Sequence, residues 1–265
     1  MSLLGTLYRQ RGLLQVLVVR DLRARYRGTF LGYLWSLLNP LLQLTVYAVV
    51  FTMVMPQRGT VAVPYPLFLF AGLLPWLFAS GALLEGSMVL FENGALLKKV
   101  VCPPEVFPAV TVLSHLIHHL LALPVLLLAL VAAAVAGLVH LSWTMLLLPV
   151  ALLLWVAAVA GLVMAMAALA VVFRDLRDIL QNLLNLVFFL TPIIYTPEIV
   201  PQGVLRTIVT ANPVTPLITV YRDVLILGRI PGPLTWLAAC GIAAVCLFAG
   251  VAIFERLRDT LVELV

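Results

Sequence analysis

From Thr29 to Met55 no residue carries a formal charge, although the stretch just before it, Arg20 to Arg27, reads RDLRARYR and holds four arginines. An apolar run of about 20 residues is the length that crosses a hydrocarbon core of about 30 Å. Runs of that kind recur along the chain, and the pattern predicts six membrane spans near 30–55, 66–90, 107–139, 144–172, 179–196 and 234–254. The third and fourth are long enough to tilt or to overrun the bilayer. Residues 1–29 have a different rhythm. Leu7, Leu14, Leu17, Val18 and Leu22 recur at roughly helical spacing while Arg9, Arg11, Arg20 and Arg23 supply a polar side, the pattern of an amphipathic helix lying in the interface plane. The expected fold class is all-α: a polytopic membrane protein with six transmembrane helices, that N-terminal helix, and no sheet of consequence. It divides into residues 1–29 and a transmembrane domain over 30–265.

The connections between spans carry the remaining pattern. Phe91 to Pro108 reads FENGALLKKVVCPPEVFP. Leu96, Leu97, Val100 and Val101 offer an apolar face, and Pro103 and Pro104 stop the helix and stiffen the return. A short amphipathic helix projecting from a membrane protein suits a groove on a partner; an ordinary re-entry turn with interfacial lysines is the simpler alternative. FRDLRDI, Phe173 to Ile179, alternates charges at a sharp corner, which suits structural pairing among Arg174, Asp175, Arg177 and Asp178 or with the N-terminal arginines. Thr191 to Pro233 contains seven prolines and two moderately apolar stretches near 202–210 and 214–227. Each is too short to span. Prolines bounding short apolar helices on one side of a membrane predict a re-entrant or interfacial helical hairpin, with a gate at the outer mouth, about 197–233, as its functional form.

Composition agrees with the periodicity. At 64% hydrophobic and 10% charged, with a mean hydropathy of +1.16, the chain is far from the roughly 25% charged residues of soluble domains. The net charge of +5 suggests nucleic acid only until the basic residues are located. They cluster at membrane edges, which favours topology or anionic lipid and excludes a nucleic-acid role. With the N-terminus inside, twelve of the 16 Lys and Arg residues fall in cytoplasmic segments and four, Arg58, Arg206, Arg222 and Arg229, fall outside. Both termini are therefore expected in the cytoplasm. No GxxxxGK[ST] phosphate loop occurs, so any ATP-driven step needs another polypeptide. Cys102, Cys240 and Cys246 lack metal-ligand spacing, and no metal is expected.

Some polar residues lie within the predicted spans. Glu85 is the one formally charged side chain deep in an apolar run. An intramembrane carboxylate is a functional candidate, as a channel-lining or dimer-contact group, though snorkelling or pairing with Lys98 also fits. His115, His118 and His119 share one helical face, which suits helix–helix hydrogen bonding better than a metal or proton relay.

RDLRARYRGTFLGYLWSLLNPL, the GLLPW of Gly72 to Trp76, NGALLKKVVCPPEVFP, FRDLRDILQNLLNLVFFLTPIIY and the ANPVTP of Ala211 to Pro216 together resemble the permease subunit of ABC-2 type transporters, and more narrowly the polysaccharide-export branch that carries O-antigen, capsule or teichoic acid. The resemblance covers nearly the whole chain in order and spacing. It implies a homodimer in a bacterial inner membrane whose interface forms the channel. It also implies two copies of a cytoplasmic ABC ATPase, which hold the ATP and Mg; this chain is expected to have no enzyme activity or cofactor of its own. The cargo would be a lipid-linked polysaccharide. Under that resemblance the segment about 91–104 is the coupling helix, with Asn93, Leu96, Leu97, Lys98, Lys99, Val101, Pro103 and Pro104 meeting the ATPase. Arg20, Arg23, Arg25 and Arg27 would line the cytoplasmic entrance and guide a lipid pyrophosphate, since guanidinium pairs bidentately with phosphate oxygens. Tyr33, Trp35, Tyr47, Trp76, Phe188, Phe189 and Tyr195 would offer aromatic faces to sugar rings along the path, although interface anchoring explains such residues equally well one at a time. Two alternatives stay open: an ABC-2 exporter of a small drug, lipid or peptide, and a membrane enzyme acting on a lipid phosphate.

Overall fold

The computed structural model describes residues 3–26, 28–50, 63–99, 102–173 and 175–264. Arg27, Arg58, Val100, Val101 and Arg174 lie outside the described residues, as do the side chains of Tyr33, Lys98 and Lys99. Among the described residues there is no strand. The chain opens with α1 (Leu3–Arg9) and α2 (Arg11–Tyr26), then a 3-10 turn (Gly32–Leu34) leading into α3 (Trp35–Val49). Next come α4 (Tyr65–Glu92), α5 (Gly94–Lys99), α6 (Val106–Val135) and α7 (Leu148–Val172). The sequence closes with α8 (Leu176–Leu190), α9 (Val204–Ala211), α10 (Val214–Arg222) and α11 (Pro233–Leu264).

Four of these elements are long and apolar enough to cross a membrane: Tyr65–Glu92, Val106–Val135, Trp143–Val172 and Pro233–Arg258. Trp143–Leu147 is a 3-10 turn that feeds α7, with the Ser142 side chain accepting from the Thr144 N–H at its start, which caps an otherwise unpaired donor. The expected fifth span is shorter than predicted, and residues 51–55 of the expected first span lie outside the described residues. α3 and α8 each have 15 helical residues, below the length a perpendicular crossing needs. α8 stops at Leu190 because Pro192 forces Thr191 into extended backbone (φ −95°, ψ 138°).

α4 is the centre of the bundle. The most apolar stretch of α4 is 78% buried, against 22% for that of α11. It is apolar all round, as a helix wrapped by others should be, and it packs against α3, α6, α7, α8 and α10. Two apolar clusters form. The larger joins α4, α6, α7 and α10. The smaller gathers at the end of the bundle that carries α2, where Leu17 and Val18 are buried against Leu90, Phe107, Ala168 and Phe254. Leu7, Leu14 and Leu22 pack on the same cluster, so the apolar stripe of the first 29 residues is the face that docks.

α7 and α11 make the closest crossing. A methyl group on Gly250 would run into the backbone carbonyl of Gly161, and one on Gly161 would run into the backbone at Cys246. Two glycines therefore set the distance between these helices.

Candidate functional site

α2 presents its arginines differently from a simple basic platform. Arg25 donates from Nε to Asp21 Oδ2 at 3.0 Å and from Nη1 to Glu85 Oε1 at 2.7 Å, with Nη2 closing a second bond to Glu85. Burial works against the charged guanidinium, but the Glu85 and Asp21 carboxylates outweigh it, so the pKa of Arg25 is raised. His115 Nε2 lies 3.0 Å from Glu85 Oε2, and a carboxylate can only accept, so the ring donates. Three elements, α2, α4 and α6, thus meet on one carboxylate. Arg25 and His115 are partners that the sequence did not offer Glu85, because α2 folds back across the bundle and brings Arg25 within reach; the Lys98 side chain, the partner it did offer, lies outside the described residues.

Arg20 donates to Asn93 Oδ1 at 3.2 Å, and Asn93 is the residue that precedes α5. Arg23 is exposed and has no side-chain partner among the described residues. With Arg20, Val16 and Val19 it lies on one exposed face of α2. Leu96 and Leu97 of α5 do not project freely: both pack on the smaller apolar cluster, leaving Ala95 exposed. Pro104 is buried beside Glu105, whose carboxylate accepts from Arg258 of α11 at 3.0 Å. That pair ties the start of α6 to the end of α11.

In the middle of the bundle Trp76 and Phe188 are buried and their ring centroids lie 5.8 Å apart. Tyr47 stacks on Phe188 at 5.8 Å, and Phe189 meets the same ring edge-on at 5.2 Å. Phe189 is exposed, and the Tyr195 hydroxyl donates to its carbonyl at 2.9 Å. Four of the seven predicted aromatics therefore form one patch, with Phe189 as its outward member; Trp35 is half-buried. Beneath the patch a wholly apolar cavity of about 270 Å³ is lined by Trp76, Trp155, Met166, Leu184 and Leu217, among others.

The end opposite α2 carries the short consecutive helices α9 and α10, of which α10 is the buried one. Leu217, Ile218, Val220, Tyr221 and Arg222 are buried. A π-helical turn, Asp223–Leu227, extends α10 and ends at Gly228 in the left-handed region (φ 62°), where glycine carries no steric penalty. Arg222 donates to the carbonyls of Pro192 and Ile193 at 2.7 Å each and sits 3.7 Å over the Phe68 ring. His119 Nδ1 is 3.4 Å from the Leu74 carbonyl, so Nε2 is left to accept from the Tyr221 hydroxyl at 3.2 Å. Arg222, Asp223, Glu198 and Arg229 line, with Phe68, Pro192 and Leu227, a cavity of about 290 Å³. Sequence reasoning counted Arg222 only as an external charge. The signal that marks it is a charged pair, Arg222–Asp223, at the end of an apolar helix.

The sequence profile of the ABC-2 type transporter family matches residues 12–226, a stretch holding Glu85, α5, His115, Arg222 of α10 and all but the first residue of α2. The chain belongs to that family. It is 37% identical over 263 residues to the O-antigen export system permease protein RfbA of Myxococcus xanthus, covering 98% of each chain. An O-antigen export system permease protein RfbA of Klebsiella pneumoniae is 29% identical over 254 residues, 95% of this chain and 94% of that one. The polysialic acid transport protein KpsM of Escherichia coli is 23% identical over 253 residues, 95% and 96% of the two chains. Family membership and the four apolar helices make this ABC-2 chain an integral membrane component of a transporter.

Proposed function

We propose that this chain is the permease subunit of an ATP-driven exporter that moves a lipid-linked polysaccharide of the O-antigen, capsule or teichoic-acid type across a bacterial inner membrane. The observation that carries the reading is end-to-end similarity, 98% of both chains, to a relative named as an O-antigen export permease. Two copies assemble around a channel, each with six crossings, α3 and α8 completing the first and fifth together with their flanking residues. Both termini are cytoplasmic, following the distribution of Lys and Arg. The α2 end is then the cytoplasmic end, and α5, with Asn93 before it and Pro103–Pro104 after it, meets a separate ABC ATPase that binds ATP and Mg. The α9–α10 hairpin is the outer gate. The exposed Phe189 is the leading candidate to touch sugar. Arg23, exposed on α2 and free of side-chain partners among the described residues, is the first contact for a lipid pyrophosphate.

The test is complementation. Expressed with its ATPase in cells whose own O-antigen permease has been deleted, the chain is expected to restore surface polysaccharide, visible as a glycan ladder on a gel of extracted lipopolysaccharide. Export of a small drug or peptide with no surface glycan would overturn the reading.

A further inference from the structure

Arg25 is one of the arginines assigned to a lipid pyrophosphate, yet each of its three guanidinium nitrogens already serves a carboxylate. Nε serves Asp21 and both terminal nitrogens serve Glu85. The fork that chelates a carboxylate is the same fork that chelates a phosphate, so Glu85 occupies the position a phosphate group would take. The pair is not sealed. The Glu85 side chain is 47% exposed and that of Arg25 21%, so the contact is open to approach from outside the bundle and a more highly charged anion can compete with the carboxylate for the guanidinium. His115 gives Glu85 a second partner to keep when Arg25 leaves. The ring is held against α4 at Gly81, where an added Cβ would lie 2.7 Å from His115 Cε1. The α4–α6 half of the contact is therefore close-packed, whereas α2 reaches it with the one side chain of Arg25, beyond the Leu17, Val18 and Leu22 positions that dock the helix, so the α2 half is the one that can let go. α2 also grips Asn93 through Arg20, so a shift of α2 reaches the start of α5.

We propose that Glu85, held by His115, is an internal competitor for Arg25: it keeps α2 docked and the arginine occupied until a lipid-borne phosphate group takes its place, and the released α2 then pulls on α5 through Arg20 and Asn93. Glu85 and His115 are positioning residues in this scheme, and it rests on the reading that α2 receives the lipid head group.

The experiment uses the full chain with its ATPase in nanodiscs and farnesyl diphosphate as the probe, with farnesol and inorganic pyrophosphate as controls. Glu85→Gln is expected to bind farnesyl diphosphate about tenfold more tightly than the parent and to raise ATPase activity in its absence, while Arg25→Gln binds at least about tenfold more weakly. Glu85→Asp, one methylene shorter, is expected to shift in the same direction as Glu85→Gln and serves if that variant fails to assemble. The exchanged pair Arg25→Glu with Glu85→Arg keeps the ion pair but sets a carboxylate beside Asp21 and a guanidinium beside the His115 donor, so it is expected to restore thermal stability only in part, and neither binding nor export. Glu85 variants that bind no more tightly than the parent would overturn the proposal. So would an exchanged pair that regains export, since that is the outcome for a purely structural ion pair. Pyrophosphate binding as tightly as farnesyl diphosphate would overturn its lipid-borne part. Absence of surface glycan in the complementation assay bears on the broader function alone and leaves the Glu85 comparison standing.

Discussion

Arg222 is buried, and both of its terminal nitrogens are spent on main-chain carbonyls that follow α8. Those carbonyls, at Pro192 and Ile193, fall where Pro192 has broken the helix, and among the described residues no backbone N–H replaces the lost partner. Each buried acceptor left unpaired costs about 1–3 kcal/mol. Arg222→Met, which keeps the apolar bulk over Phe68, is expected to lower stability by about 2–5 kcal/mol, read as an earlier thermal unfolding midpoint in detergent. Tyr221→Phe removes one bond, to His119, and is expected to cost only about 1 kcal/mol. Gly72 belongs to the same arrangement: a side chain there would collide with the Arg222 guanidinium. GLLPW was conspicuous in the sequence for its resemblance to a family pattern, without a physical role. Its role is invisible in one dimension because the residue it makes room for lies 150 positions further along the chain.

Between elements, the α7–α11 crossing depends on bare backbone. No side chain can yield to a methyl group at Gly250, because what it meets is the main chain of Gly161. Gly250→Ala and Gly161→Ala are therefore expected to force the helices apart and cost several kcal/mol, on the order of 2–4, with loss of the monodisperse peak in detergent gel filtration. Gly241, on the same helix with nothing within 4 Å of an added Cβ, is the control. Gly241→Ala should be neutral or stabilising by up to about 1 kcal/mol, the usual gain for alanine over glycine in a helix. Hydropathy made the existence of the long helices legible, and the predicted 66–90 became Tyr65–Glu92. It also located the two short helices of the proline-rich segment, now Val204–Ala211 and Val214–Arg222. What it could not supply was depth. α10 and α9 look alike in composition, yet α10 buries six residues and α9 one, a difference set by their neighbours. The same limit affected α8, where an apolar run through Pro192 read as a longer helix than the proline allows.

For the whole molecule, the segment proposed to meet the ATPase serves two surfaces at once. The sequence pattern offered Leu96 and Leu97 as a face for a partner, and the fold turns both onto the subunit's own apolar cluster. Leu97→Glu is therefore expected to destabilise the subunit by about 1–3 kcal/mol as well as to impair export, and so does not isolate docking. Ala95, exposed on α5, does. Ala95→Arg is expected to leave the unfolding midpoint unchanged while export falls and ATP hydrolysis loses its dependence on the permease, measured with purified subunits. Arg20 and Asn93 show why the arrangement was only half legible: each sat in a recognised segment, but nothing in their spacing paired them.

α4 is sheathed by α3, α6, α7, α8 and α10, and most of that sheath is encoded after it. During synthesis the helix is threaded into the bilayer while α6, α7, α8 and α10 are still unmade, so lipid tails must stand in for its future neighbours. An apolar circumference suits it to that wait. Glu85 is the exception, and the partner it needs first, Arg25, has already been translated, whereas His115 arrives later. The newborn chain thus carries the counter-ion for its own awkward carboxylate ahead of the carboxylate itself.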